Sequence, residues 1–257
     1  MKVKDVMTKN PVFLQDSDFM THARQLMRDR HFRTMPVVDA KNRVVGILTE
    51  KELLNIYSTK SNVTVQGFTS EFPFVYPEMD MMEAAKLMVE AQMGRVPVLK
   101  SGQDMTLAGL LSVVDIFRNL KPEKIPKKKL SDIMSTNVKT CSNEDNVAKV
   151  WMNMKETGFS GFPVLKKGEL VGMITRRNII NAGYARIEME DNQGTKSTMS
   201  PSVEKVMSTP AYSLSSESTL SEAIQAFLKL DVGRISITNE GKLIGIVDRN
   251  DIIKAFI

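Results

Sequence analysis

Met35-Pro-Val-Val-Asp-Ala-Lys-Asn-Arg-Val-Val-Gly-Ile-Leu-Thr49 holds two short apolar runs on either side of a polar reversal at Ala40-Lys41-Asn42. Short β-branched runs joined by residues that tolerate tight turns read as a β-hairpin. The same stretch returns three times along the chain. Val96-Pro-Val-Leu99 is followed by Gly109-Leu-Leu-Ser112, Phe162-Pro-Val-Leu165 by Gly172-Met-Ile-Thr175, and Ile235-Ser-Ile-Thr238 by Gly245-Ile-Val-Asp248. Ser101-Gly-Gln-Asp104, Lys167-Gly168 and Glu240-Gly241 supply the reversals.

Working outward from the hairpin, a second motif precedes each copy. Asp5-Val-Met-Thr-Lys-Asn-Pro11 comes back as Asp132-Ile-Met-Ser-Thr-Asn-Val138 and as Lys205-Val-Met-Ser-Thr-Pro210. Met7 lies 29 residues before Pro36, and the intervals Phe68 to Pro97, Met134 to Pro163 and Met207 to Ser236 are the same. Between motif and hairpin, apolar residues recur at three- and four-residue steps. Leu220, Ala223, Ile224, Phe227 and Leu228 do so behind Ser218 or Thr219, as do Ala23, Leu26 and Met27, and Ala84, Leu87 and Met88. That spacing predicts an amphipathic helix with a hydroxyl N-cap. A second helix is predicted after each glycine motif, as over residues 51–57 and 250–256.

The chain therefore reads as an α+β protein built from four βαββα-like repeats of roughly sixty residues each. The expected spans are 1–62, 63–120, 128–186 and 200–257. One such unit is too small to bury much apolar surface alone, so the repeats are expected to pair with their apolar faces between them. The expected modules are residues 1–120 and 128–257. Residues 58–62 join the first two repeats with little slack, whereas the polar stretch 187–201 reads as a mobile loop.

Composition narrows the function classes. No apolar run approaches the roughly eighteen residues of a membrane span, and Asp5 and Asn10 fall where an export signal would need apolar residues, so a cytoplasmic protein is expected. Cys141 is the only cysteine and His22 and His31 the only histidines, which leaves no internal disulfide and no zinc cluster. The net charge of +5 is concentrated at Lys121, Lys124 and Lys127-Lys128-Lys129. Without interleaved aromatic residues to stack on bases, that run reads as a solvated linker. The 18 methionines follow the apolar pattern and read as core filling.

The repeated motifs resemble the cystathionine-beta-synthase (CBS) domain over essentially the whole chain, in two tandem pairs. The signature is an opening strand with Met-Thr or Met-Ser, a helix, an apolar-Pro-Val-Val strand, and Gly-apolar-apolar-Thr/Ser-x-x-Asp/Asn before the last helix. The four-repeat layout is also similar to the gamma subunit of the AMP-activated kinase and its archaeal relatives. The resemblance implies adenosine-containing ligands in clefts between paired repeats. A carboxylate can accept hydrogen bonds from ribose hydroxyls, while a hydroxyl and a helix N-terminus can receive phosphate oxygens.

Carried onto this chain, the resemblance implies Ser112, Val114 and Asp115 in the second repeat, with Arg95 before its strand as a phosphate ligand and Val12 and Phe32 near an adenine. The first repeat offers Thr49 but Glu52 in place of Asp, and the third offers Phe159, Thr175 and Asn178. The fourth keeps Arg234 and Asp251 but has Asp248 where a hydroxyl belongs. A carboxylate repels phosphate, so this cleft is expected to prefer a nucleoside or a cationic adenosyl ligand, with Arg234 neutralising Asp248. The second cleft, with Ser112, Asp115 and Arg95 together, is expected to be the tighter nucleotide site of its module.

Each of these residues also has a structural reading. Thr49, Ser112 and Thr175 can cap helices, Asp115 can complement a helix dipole, and Arg95 and Arg234 can serve surface ion pairs. Cys141 reads as a packed thiol. The expected function is a regulatory protein without catalytic activity or catalytic cofactor, holding AMP, ADP or ATP and signalling to a separate target protein or to a second copy of itself. The alternatives are a sensor of S-adenosylmethionine or methylthioadenosine, and a nucleic-acid-binding or structural adaptor with vestigial clefts. An enzyme would require a constellation of base, nucleophile or metal ligands, and no such motif is recognisable.

Overall fold

Each repeat begins with a short helical turn, and the expected strand at the Met-Thr or Met-Ser position follows it as the two-residue strand Thr8–Lys9 or as a single bridge at Ser70, Ser135 and Ser208. The turns are α1 (Val3–Val6) and 3-10 turns at Val65–Phe68, Leu130–Asp132 and Val203–Lys205. Val3, Val65, Leu130 and Val203 are fully buried, and these anchors hold the turns. The computed structural model describes residues 1–54, 63–183 and 200–257. The expected junction at 58–62, the end of the helix predicted over 51–57, and the polar stretch through 199 lie outside the described residues.

In the first repeat the turn leads to β1 (Thr8–Lys9), β2 (Leu14–Gln15), helix α2 (Met20–Asp29), the hairpin β3 (Thr34–Val38) and β4 (Val44–Thr49), and α3 (Glu50–Leu54). The second contributes α4 (Met81–Glu90), β5 (Arg95–Leu99), β6 (Leu107–Ser112) and α5 (Val113–Asn119). The third has β7 (Cys141–Ser142), α6 (Val147–Thr157), β8 (Gly161–Lys166), β9 (Glu169–Thr175) and α7 (Arg176–Asn181). The fourth has β10 (Ser213–Ser215), α8 (Leu220–Leu230), β11 (Arg234–Asn239), β12 (Lys242–Asp248) and α9 (Arg249–Lys254).

Local chemistry accounts for these elements. Thr219 and Glu222 form a reciprocal capping box at the start of α8, whose Leu220, Ala223, Ile224 and Phe227 are buried. The β11–β12 reversal places Glu240 and Gly241 at φ of +47° and +77°, the left-handed geometry of a two-residue hairpin. In the first, third and fourth repeats a short strand pairs parallel with the first hairpin strand, as Cys141 does with Val164. In the second, Val75 and Val98 form a single parallel bridge.

The pairing within each half is reciprocal. β1 of the first repeat adds antiparallel to β6 of the second, and Ser70 of the second pairs with Ile47 of the first. Ser135 and Ile246 exchange two hydrogen bonds of 3.0 Å between the third and fourth repeats, and Met173 and Ser208 exchange bonds of 3.0 and 2.9 Å. The motif glycines sit at these crossings. A Cβ on Gly172 would lie 2.7 Å from the Ser208 carbonyl oxygen and 2.8 Å from Met207 Sδ, and one on Gly109 would lie 2.6 Å from Met7 Sδ. The glycine and the opening Met of the partner repeat are thus two halves of one contact.

The larger cores run across the expected modules rather than within them. One joins Leu14, Met27, Leu48 and Leu53 of the first repeat to Trp151, Phe162, Ile174 and Ile179 of the third. The other joins Met88, Leu111 and Phe117 of the second to Phe227, Ile235 and Ile252 of the fourth, with the Phe117 and Phe227 rings 6.2 Å apart. A smaller cluster of Val38, Val44 and Leu99 lies between the first two repeats. Sheets therefore exchange edges within a half, while helices bury their apolar stripes against the other half. The four repeats close a ring in the order one, two, four, three.

Candidate ligand site at the junction of the repeats

Every repeat ends its second hairpin strand on a residue that caps the following helix. Ser112 Oγ accepts from Asp115 N–H at 3.3 Å, while Asp115 Oδ2 accepts from Ser112 N–H at 2.9 Å and from its hydroxyl at 2.6 Å. Thr175 and Asn178 repeat this box, and Thr49 bonds to Glu52 through both its N–H and its hydroxyl. Thr49, Ser112 and Thr175 therefore all cap helices. Two of the boxes also reach across to the partner repeat, through Ser70 Oγ to Glu52 Oε1 at 2.8 Å and Asn178 Nδ2 to Ser208 Oγ at 2.9 Å.

Two described cavities open beside the caps of the third and fourth repeats, and residues of the first half help to line both. The first, of about 350 Å³, is lined by Thr175, Asn178, Pro210 and Tyr212, together with Arg177, Arg234, Arg33 and Glu50. The second, of about 520 Å³, is lined by Asp248, Asp251, Val138, Lys139 and Phe159, and by Arg33, Arg95, Arg234 and Arg249. The cavities share Arg33, Ser160, Gly233 and Arg234, so they meet at the centre of the ring. Among the sequence-derived candidates, Val12, Phe32, Thr49, Glu52, Ser112, Val114 and Asp115 line neither.

Arg234 does not neutralise Asp248 by a direct bond, contrary to expectation. It donates to the Gly161 carbonyl at 3.0 Å and to the Ser160 hydroxyl. Asp248 instead caps α9, its Oδ1 accepting from Asn250 N–H at 2.8 Å and Asp251 N–H at 3.0 Å. The surface ion pairs considered for Arg95 and Arg234 are absent among the described residues: neither has a carboxylate oxygen within 4.0 Å.

The junction is dense in positive charge. Burial, followed by the neighbouring Arg249 and Arg95, pulls the Arg33 guanidinium down to about 10, still charged at neutral pH. Burial also lowers Arg95, Arg176 and Arg234. Arg33 donates to the Asp231 carbonyl at 3.1 Å, tying the first repeat to the fourth, and Arg249 pairs with the Asp231 carboxylate at 3.0 Å. Glu50 is raised by burial against the opposing pull of Arg33, Arg177, Arg176 and Arg95. Asp251 is raised to about 6, first by burial and then by Asp248 beside it.

Sequence reasoning missed Arg33, Glu50, Arg177 and Arg249. Arg33 stands one residue before the position that Arg95 and Arg234 occupy in the repeat register, and the others open helices where charged residues are common. Cys141 is buried, which pushes its thiol up to about 12, in keeping with a packed rather than a reactive group. Among the described residues no helix is long and apolar enough to cross a membrane.

The chain belongs to the CBS-domain family, which it matches over residues 3–59, 65–122, 130–184 and 203–257. It is 24% identical to protein MJ1404 of Methanocaldococcus jannaschii over 98% of its own length, spanning 61% of that relative. It is 22% identical to protein MJ1225 of the same organism, covering 99% of this chain and 98% of the relative. The crystal structure of MJ1225, for which homology to the AMPK gamma subunit has been proposed, superposes on all of this chain and of that one with a TM-score of 0.86 at 20% identity. A conserved protein of Pyrococcus horikoshii superposes over the full length of both chains with a TM-score of 0.69 at 22% identity. These likenesses show the four-repeat fold.

Proposed function

We propose that this chain is a regulatory protein that binds an adenosine-containing anion in the cavity between its third and fourth repeats and passes occupancy to a separate partner. The observation that carries this reading is the mixed lining of the first cavity. Tyr212 and Pro210 offer an apolar wall for a base, Asn178 an amide that can bond a ribose hydroxyl, and Arg33, Arg177 and Arg234 cations for phosphate. Its volume of about 350 Å³ lies in the range of small-ligand sites. Asn178 Oδ1 is already engaged by Thr175, so a ribose hydroxyl would accept from the amide N–H not used by Ser208.

Arg33 belongs to the first repeat, so a phosphate held by Arg33 and Arg234 together would tie the two halves across the ring. A ligand that favours one relative setting of the halves shifts their populations, which supports sensing without chemistry. A second reading concerns the second cavity, where Asp248 and Asp251 stand among Arg33, Arg95, Lys139, Arg234, Arg249 and Lys254. The carboxylates suit a neutral or cationic adenosyl compound, such as methylthioadenosine or S-adenosylmethionine, whereas the more numerous cations suit AMP.

The test is calorimetry on the full chain with AMP, ADP, ATP, S-adenosylmethionine and methylthioadenosine, after mass spectrometry of ligands released from fresh protein. Binding of an adenine nucleotide that Arg234→Ala weakens by about tenfold or more supports the reading. No binding of any of the five, with steeply salt-dependent binding of RNA, would favour the nucleic-acid alternative.

A further inference from the structure

We propose that Glu50 acts as an internal counter-anion of the central arginine cluster, competing with any phosphate that enters the first cavity and thereby setting its anion affinity. This rests on the reading of that cavity as an anion site. Three observations converge on it. Glu50 lines the cavity although it belongs to the first repeat, because α3 packs on α7 of the third. Arginines from all four repeats are electrostatically coupled to its carboxylate, namely Arg33, Arg95, Arg176, Arg177 and Arg234. Yet among the described residues Glu50 has no cationic nitrogen within 4.0 Å and no hydrogen bond of its own.

The repeat register sharpens the point. The residue after the helix cap is Val113 in the second repeat, Arg176 in the third and Arg249 in the fourth, so the first repeat alone places a carboxylate there. A half-buried guanidinium cluster is costly without negative charge, and Glu50 supplies that charge diffusely rather than through a fixed bidentate pair. An incoming phosphate offers the same arginines shorter, charge-assisted hydrogen bonds. It must also overcome repulsion from Glu50 or push it aside. Because Glu50 opens α3, its displacement would connect an anion at the third- and fourth-repeat residues to the first repeat.

The experiment titrates full-length wild type, Glu50→Gln and Glu50→Val with pyrophosphate, AMP and adenosine by calorimetry. Circular dichroism checks the fold, and the valine variant carries the residue type of the second repeat. The expected result is affinity for pyrophosphate and AMP at least about tenfold tighter in the variants, with adenosine unchanged within about twofold. Pyrophosphate bound equally by a folded variant would overturn the proposal, and weaker binding would overturn it by showing that Glu50 holds the arginines in place for the anion. If pyrophosphate tightens while AMP binds to none of the three proteins, the nucleotide reading fails and the counter-anion stands. If AMP binds all three equally and pyrophosphate does not tighten, the nucleotide reading stands and the counter-anion fails.

Discussion

Asn178 Nδ2 donates to Ser208 Oγ at 2.9 Å across the boundary between the third and fourth repeats. The same side chain accepts from the Thr175 N–H at 2.9 Å and from its hydroxyl at 2.6 Å, so one amide both closes a helix cap and joins two repeats. Asn178→Ala removes all three bonds and leaves a half-buried N–H without its acceptor. The expected loss is about 1–3 kcal/mol of unfolding free energy, read from chemical denaturation of the full chain. An unchanged denaturation midpoint would mean that water replaces the amide without cost.

Gly172 tests the crossing itself. An added Cβ would lie 2.7 Å from the Ser208 carbonyl oxygen, a backbone atom held in the exchange with Met173 that cannot rotate away. Gly172→Ala is expected to cost about 1–3 kcal/mol, as overpacking does in a filled interior. Gly94→Ala is the control, since a Cβ there meets nothing within 4 Å, and should stay within about 0.5 kcal/mol of wild type. Equal effects of the two substitutions would remove close approach as the reason for the motif glycine.

These two predictions mark where sequence reasoning reaches and where it stops. The hairpins were legible because strand periodicity, turn residues and the motif glycine all recur in one register. The helices were legible as amphipathic, but an apolar stripe such as Leu53, Ile179 or Ile252 says that a face is buried and not what covers it. The cover is largely the other half of the chain, where the expectation placed the paired repeat of the same half. The site follows the same division. Thr175, Asn178, Arg234 and Asp251 belong to the repeated motif and could be named, whereas Arg33 and Glu50 join the cavity only because the first repeat folds against the third. Asp115, the strongest candidate by motif, caps its helix and lines neither described cavity.

Asp251 makes stability depend on pH. Burial and Asp248 raise its carboxyl from 3.8 in the unfolded chain to about 6 in the folded one. The folded state therefore keeps a proton that the unfolded state releases as pH rises through that window, and stability falls with rising pH until the folded group also ionises. Asp251→Asn removes this penalty. The amide can still accept from the Asp248 N–H, as Asn178 accepts from Thr175 in the third repeat. The variant is expected to melt ~2–4 °C higher than wild type at neutral pH, with the difference vanishing at the acid end of the window. A difference that persists unchanged to the acid end would mean that Asp251 does not carry the effect.

Asp248 occupies helix donors that a hydroxyl covers in the second and third repeats. Its Oδ1 takes the N–H groups of both Asn250 and Asp251, whereas Thr175 Oγ1 takes only that of Asn178, at 3.2 Å. Asp248→Thr would keep one capping bond, release the Asn250 N–H and remove a negative charge from the second cavity. The capping change alone should cost only a few tenths of a kcal/mol, roughly the difference between Asp and Thr as N-caps. The charge has the larger consequence, because Arg234 is engaged with Ser160 and Gly161 and does not offset it by a direct bond. An anion entering this cavity meets Asp248 beside the helix terminus that would otherwise receive it. The preference for AMP over adenosine is therefore expected to rise by about five- to tenfold in Asp248→Thr, as removal of one nearby like charge at intermediate dielectric implies. Asp251 should also titrate lower in this variant, since Asp248 contributes to its upward shift. Calorimetric titration of the full chain with both ligands reads the first effect and carboxyl NMR the second. If the carboxyl shift appears but the ligand preference does not move, Asp248 faces Asp251 and not the phosphate position.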